Sequence, residues 1–137
     1  MPLKKTERMP KVSYTGAMGI LSVFFKGILC NWLVCLAIFL ALAADEVISK
    51  IFAIWFPIMA FVASGFEHCV ANMYFIPAAI LTNGFTGNTV ANLNWVGMWT
   101  NNIIWSTLGN IVGAVIFMAI VYYYCYKSEI CALCEAK

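Results

Sequence analysis

Charge is what this sequence has least of. Asp, Glu, Lys and Arg together make up 10% of its 137 residues, and between Lys50 and Lys127 the single charged side chain is Glu67. A water-soluble domain of this size needs far more polar surface to cover its core, so that class is excluded. The net charge of +2 carries no nucleic-acid signature. Histidine is nearly missing too, with His68 alone. The sequence also lacks a nucleophile–base–acid set, a Gly-rich phosphate loop and paired carboxylates, so enzymatic chemistry has almost nothing to stand on. None of the asparagines begins an Asn-x-Ser/Thr acceptor. No cleavable signal peptide is expected, because the first apolar stretch begins near Met18 and runs too long for a signal core. No internal repeat is visible within these residues.

What is present is hydrophobic: 64% of all residues are hydrophobic and 15% of all residues aromatic, with a mean hydropathy of +0.88. The 14 formal charges lie almost entirely outside the apolar stretches, the distribution expected of segments in hydrocarbon. Gly27 to Ala44 and Ile103 to Cys125 are uncharged and long enough to cross a core of roughly 30 Å. The block from Ile51 to Leu81 would run roughly 45 Å as one straight helix, well beyond that thickness. Its centre, Ser64-Gly65-Phe66-Glu67-His68, is polar and contains a helix-weakening glycine. Two half-helices, 51–63 and 69–81, joined by an irregular centre, account for it better. Non-helical backbone at membrane depth is tolerated only inside protein or beside a cavity, so the break points to a pathway or binding site. The expected fold is an all-α membrane protein with spans at about 24–44, 51–63 plus 69–81, and 102–125. A polar segment 1–20 precedes them and a tail 127–137 follows. Thr82 to Asn102, rich in Gly, Asn and Thr with Trp95 and Trp99, reads as a loop or surface segment with interfacial tryptophans.

His68 sits beside the one intramembrane carboxylate. On a helix it shares a face with Asn72 at i+4, while Glu67 points about 100° away. His68 and Asn72 could offer hydrogen bonds to a small polar solute in a dry passage, and an imidazole can hand a proton to a weakly basic anion near physiological pH. The alternative is a buried interhelical hydrogen bond. Glu67, beside the break, is expected to accept backbone N–H groups left free there. Asn31 and Asn110 read as interhelical glue, and Gly109 with Gly113 as a small-xxx-small pair for close helix approach. Phe61 and Val34 are ordinary membrane residues by pattern. Cys30, Cys35 and Cys69 behave as small hydrophobes. Cys131-Ala-Leu-Cys134 has a C-x-x-C spacing near Cys125, but a zinc site lacks its fourth ligand; thiol redox chemistry and lipidation are the other options.

The run Phe61-Val62-Ala63-Ser64-Gly65-Phe66-Glu67-His68-Cys69-Val70-Ala71-Asn72-Met73-Tyr74-Phe75-Ile76-Pro77 closely resembles the signature of the formate/nitrite transporter family. Gly27-Ile28-Leu29-Cys30-Asn31-Trp32-Leu33-Val34-Cys35-Leu36-Ala37 looks like that family's fourth membrane helix. Asn101-Asn102 followed by Thr107-Leu108-Gly109-Asn110-Ile111-Val112-Gly113 looks like the start of its sixth. The resemblance covers about Gly27 to Tyr126 and leaves the residues before Lys11 unmatched. It implies a pentamer of six-helix, aquaporin-like protomers that pass small monovalent anions such as formate, nitrite or hydrosulfide, often with proton coupling. His68 matches the central pore histidine and Asn72 the asparagine of the same motif; Phe61 and Val34 match positions that narrow the pore. Glu67, Gly65, Asn31 and Asn102 match supporting positions. For the family's vestibule lysine Lys11 is the nearest candidate, farther from Asn31 than the usual spacing, with Thr15 in the expected place.

The resemblance also implies that the chain carries only the second of two inverted three-helix repeats, half of a protomer. The other half then comes from a separate chain, or the gene is truncated. The expected partners are the lipid bilayer, a small monovalent anion, a proton and further copies in a pentamer. No cofactor, metal or nucleic acid is expected. Counting Lys and Arg alone would place the N-terminal segment in the cytoplasm. The family's arrangement places it outside and the C-terminus inside, and is followed here because the charge rule assumes that the first helix is the true first one. Localisation as a multi-pass protein of the cell membrane follows. The competing expectation is a non-conducting membrane subunit that packs against partner chains through Gly109 and Gly113.

Overall fold

In the computed structural model, residues 16–86 and 92–135 are described, and all regular structure among them is helical. Helix α1 spans Gly16–Ala43, α2 spans Val47–Ala63 and α3 spans Cys69–Thr86. A last long rod follows, made of α4 (Trp95–Met98), a wide π segment (Trp99–Ile103), α5 (Ile104–Ala114), a second π segment (Val115–Ile120) and α6 (Val121–Glu135). Helix α1 and the rod from Trp95 to Ala132 are long and apolar enough to cross a membrane; α2 and α3 are shorter apolar helices. At 28 residues, α1 is about 42 Å long.

Polarity is inverted relative to a water-soluble protein. Large apolar side chains such as Phe52, Trp55, Phe75 and Phe117 lie on the outside, while Glu67, Asn72, Asn102, Ser106 and Asn110 are buried. Hydrocarbon is a good solvent for the former, so what must be enclosed is the polar set.

The principal packing is α1 against α5, and glycine permits it. A Cβ on Gly109 would fall on the Phe24 carbonyl oxygen, one on Gly113 on the Ile28 carbonyl oxygen, and one on Gly27 would stand 2.9 Å from the Ser106 carbonyl oxygen. Without a hydrophobic drive between helices in lipid, such close backbone approach supplies the packing. The small-residue face of α5 is therefore occupied within the chain by α1, and the alternative of a subunit docking partners through Gly109 and Gly113 loses that surface.

Several boundaries differ from those expected. Helix α1 begins at Gly16 rather than near residue 24, and α3 continues to Thr86. The expected surface loop from Thr82 to Asn102 is helical from Trp95 onward, because the Asn94 side chain accepts the Gly97 N–H at 2.7 Å and starts a helix there. Gly97 has no room for a side chain beside the Asn92 carbonyl. The expected tail after residue 126 stays helical to Glu135.

Gly109→Ala and Gly113→Ala should each lower stability by about 1–3 kcal/mol through overpacking against α1, read as a lower thermal unfolding midpoint in detergent. Gly84→Ala, where an added methyl meets open space, should not lower it.

Candidate functional site

The interruption between α2 and α3 is a helix stop placed directly against a helix start. Helix α2 closes with Gly65 at φ +66°, the left-handed conformation glycine adopts without strain. The Gly65 N–H donates to the Val62 carbonyl at 3.1 Å and the Phe66 N–H to the Phe61 carbonyl at 3.1 Å. That pair of bonds is the Schellman arrangement, and it satisfies carbonyls that hydrocarbon would otherwise leave bare. After Phe66, Glu67 and His68, α3 begins at Cys69.

Asn110 holds this break. Its Nδ2 donates to the Gly27 carbonyl on α1 and to the Glu67 carbonyl in the break, each at 2.9 Å. Its Oδ1 accepts the Cys69 N–H at 3.0 Å. One amide thus ties down the peptide groups on both sides of His68. Asn31 on α1 in turn donates its Nδ2 to the Asn110 carbonyl at 2.8 Å. The close approach of α1 and α5 at Gly27 and Gly109 places Asn110 within reach of all these groups.

Glu67 is buried in a nest of amides. Its Oε2 accepts Asn72 Nδ2 at 2.6 Å and Asn102 Nδ2 at 3.1 Å. Asn72 Nδ2 also donates to Asn102 Oδ1 at 2.8 Å, and Ser106 Oγ contacts the Ile103 carbonyl at 3.2 Å. The π segment Trp99–Ile103 carries Asn102 into this cluster; such widened turns are frequent at functional sites. Among the described residues, every buried side-chain nitrogen and oxygen has a hydrogen-bond partner, as a polar cluster inside lipid requires.

His68 is half-buried and lies beside Phe61, the two rings stacked with centroids 5.9 Å apart and planes at 27°. The geometry brings together His68, Phe61, Gly65, Glu67, Asn72 and Asn102, and joins Asn31 to them through Asn110. Val34 is half-buried on α1, one turn beyond Asn31. Lys11 and Thr15 lie outside the described residues. One expectation needs correction. Asn72 is fully buried and its Nδ2 serves Glu67 and Asn102, so it belongs to the buried network rather than offering donors to a solute. The backbone N–H groups of Cys69 and Ala71 go to Asn110 and His68. Asn110 and Ser106 do more at this site than the sequence suggested. The spacing of Asn102, Ser106 and Asn110, i, i+4 and i+8, is the signal that announces them, a polar stripe on one helix face. Cys125, Cys131 and Cys134 are free and exposed, and among the described residues no group of three or more His, Cys, Asp or Glu is placed to hold a metal.

Apolar helices around a polar break with an imidazole beside it are an arrangement that transporters with discontinuous helices also use. The sequence profile "Formate/nitrite transporter" matches residues 5–124, and the chain belongs to that family. The match begins well before Gly27 and takes in residues ahead of Lys11, beyond the reach of the motif resemblance. The chain is 54% identical over 106 residues to the "Probable formate transporter" of Methanothermobacter thermautotrophicus, covering 77% of this chain and 36% of that protein. It is 43% identical over 102 residues to "Nitrite transporter NirC" of Escherichia coli strain K12, covering 74% of this chain and 35% of that protein. Among solved structures, "Pentameric formate channel with formate bound" superposes with a TM-score of 0.72 at 38% identity, covering 85% of this chain and 48% of that one. The chain thus spans little more than a third of these curated relatives and about half of the solved channel. These relatives are named as transporters and channels, not enzymes.

Glu67→Leu should cost about 1–3 kcal/mol for each amide it leaves without an acceptor, while Glu67→Gln, which keeps an oxygen at that place, should retain most of the stability. Thermal unfolding of both variants in detergent tests the assignment.

Proposed function

We propose that this chain forms part of a membrane channel or transporter for small monovalent anions, formate first and nitrite or hydrosulfide as related candidates, with transport linked to protons. In this reading it supplies the second three-helix repeat of a six-helix protomer, assembled as a pentamer in the cell membrane. The carrying observation is the break at Ser64–His68, an imidazole at the start of α3 among helices that otherwise present hydrocarbon. The coverage of about half of the pentameric formate channel supports the half-protomer reading.

The physical problem for such a pore is dehydration. An anion entering an apolar constriction loses its water at a cost of many kcal/mol unless something replaces it. Phe61, stacked on His68, is the apolar side of that constriction, with Val34 assigned to it on the α1 side. The replacement comes from the positive end of α3, whose first N–H groups and dipole favour negative charge, and from His68 as a hydrogen-bond donor. Protonation of a weakly basic anion next to His68 would let the neutral acid cross the dry section. Glu67, Gly65, Asn31 and Asn102 support the wall, and Lys11 is the candidate cation for the outer vestibule.

In the assembled pore, His68→Phe should lower formate uptake into proteoliposomes at least about tenfold, the scale of one lost hydrogen bond to a charged group, and remove its response to an imposed proton gradient. Uptake and pH response equal to those of the unaltered protein would overturn the role given to His68.

A further inference from the structure

Helix starts call for a short oxygen-bearing side chain, Asn, Asp, Ser or Thr, to accept the N–H of the second or third helical residue. At α3 that place is held by His68. Its Nδ1 lies 3.3 Å from the backbone nitrogen of Ala71, the third residue counting from Cys69, while its own carbonyl accepts the Asn72 N–H at 2.9 Å. The ring stands where a capping oxygen would.

The chemistry of that contact is one-directional. A backbone N–H only donates, and an imidazole nitrogen accepts only when it carries no proton. We infer that the first turn of α3 holds His68 as its neutral Nε2–H tautomer, a hydrogen-bond donor of fixed direction, with the Ala71 N–H as the positioning group. This deepens the proposed function by naming the chemical form in which its central residue waits.

The surroundings leave the ring little freedom to do otherwise. Asn110 fixes the peptide groups on either side of His68 through the Glu67 carbonyl and the Cys69 N–H. Phe61 packs against the ring, the two centroids 5.9 Å apart. With Nδ1 tied to Ala71, the ring's N–H donor is the one at Nε2, while the Nδ2 of Asn72 serves Glu67 and Asn102.

A neutral donor suits conduction. A permeant ion must be held firmly enough to enter and loosely enough to leave, and an imidazolium facing an anion in a dry site would hold it far more strongly than a neutral N–H. The same tautomer sets terms for proton transfer. Neutral His68 must first take up a proton from water in the pore at Nδ1, breaking the bond from Ala71. The imidazolium then gives its Nε2 proton to the anion, forming the neutral acid and leaving Nδ1–H. That form sets donor against donor at Ala71, so the ring returns to rest by giving the Nδ1 proton back to water and taking another from water at Nε2, a net uptake of one solvent proton per anion.

His68 is the only histidine in the sequence, so ¹⁵N-histidine labelling of the full chain, purified without a polyhistidine tag, reports on one ring alone. In phosphatidylcholine–phosphatidylglycerol bilayers, at a pH where the ring is neutral, the couplings to the ring protons tell Nδ1 from Nε2. Free histidine already favours Nε2–H in water, so the diagnostic quantity is the minor Nδ1–H form. It should be undetectable in the unaltered protein. It should become a readily detected population in Ala71→Pro, which deletes the donor N–H in the first helical turn, where proline is tolerated. A substantial Nδ1–H population in the unaltered protein, or a tautomer ratio unmoved by Ala71→Pro, would overturn the inference. If Ala71→Pro fails to fold, a magnetisation-transfer cross-peak between the Ala71 amide and the unprotonated ring nitrogen in the unaltered protein decides: present, the inference stands; absent, it falls. Neither readout needs transport. A single tautomer in an assembled pore without formate flux would retire the channel reading and leave this one intact.

Discussion

A backbone that leaves its helix inside hydrocarbon strands polar groups where no water can reach them, and the rest of this structure depends on how that debt is settled. The Asn110 side chain settles most of it at the start of α3. It engages the Glu67 carbonyl, the Cys69 N–H and a carbonyl of α1, while Gly65 closes α2 from the other side. Asn110 can do so only because glycines at 27, 109 and 113 let α1 and α5 lie backbone against backbone. The chain of cause thus runs from missing side chains, to helix proximity, to one amide in reach, to a break that persists, to an imidazole held in place.

The buried network follows an economy suited to lipid. Glu67 is satisfied by amides from α3 and from the last rod, and the contacts Asn31–Asn110 and Asn110–Gly27 are likewise made by neutral groups. Amides donate and accept at once, so a few of them close a network with no donor left over, at a far smaller desolvation cost than added charges would carry. The partners of Glu67 lie on separate elements, so the carboxylate also acts as the fastening between the first turn of α3 and the widened turn of the rod.

Much of this could be read before any coordinates. The break was legible because Ser64-Gly65-Phe66-Glu67-His68 interrupts a run too long to be one span; α2 ends at Ala63 and α3 begins at Cys69 on either side of it. The family membership was legible in the same residues. What escaped has a common cause. Hydropathy reports which residues avoid water, but not which amide meets which carbonyl, so Asn72 looked available to a solute and Asn110 looked like ordinary glue. Gly65 looked like a weak point in a helix, whereas its left-handed conformation makes it a terminus. The polar composition of Thr82 to Asn102 hid a helix start at Asn94, because a capping residue is itself polar and resembles loop sequence until its N–H partner is seen. Position 71 gave no signal at all, since its contribution is a main-chain N–H that any residue but proline possesses.

The widened turn at Trp99–Ile103 has a consequence for how this protein can change over time. It holds one residue more than a regular turn would, a local surplus of chain at the point where Asn102 meets Glu67. Deleting a single residue there would restore ordinary helical spacing downstream while swinging Asn102 roughly 100° around the axis, away from its carboxylate. Point substitutions on the greasy exterior can drift freely as long as they stay greasy, but in this short stretch the length of the chain is itself under constraint.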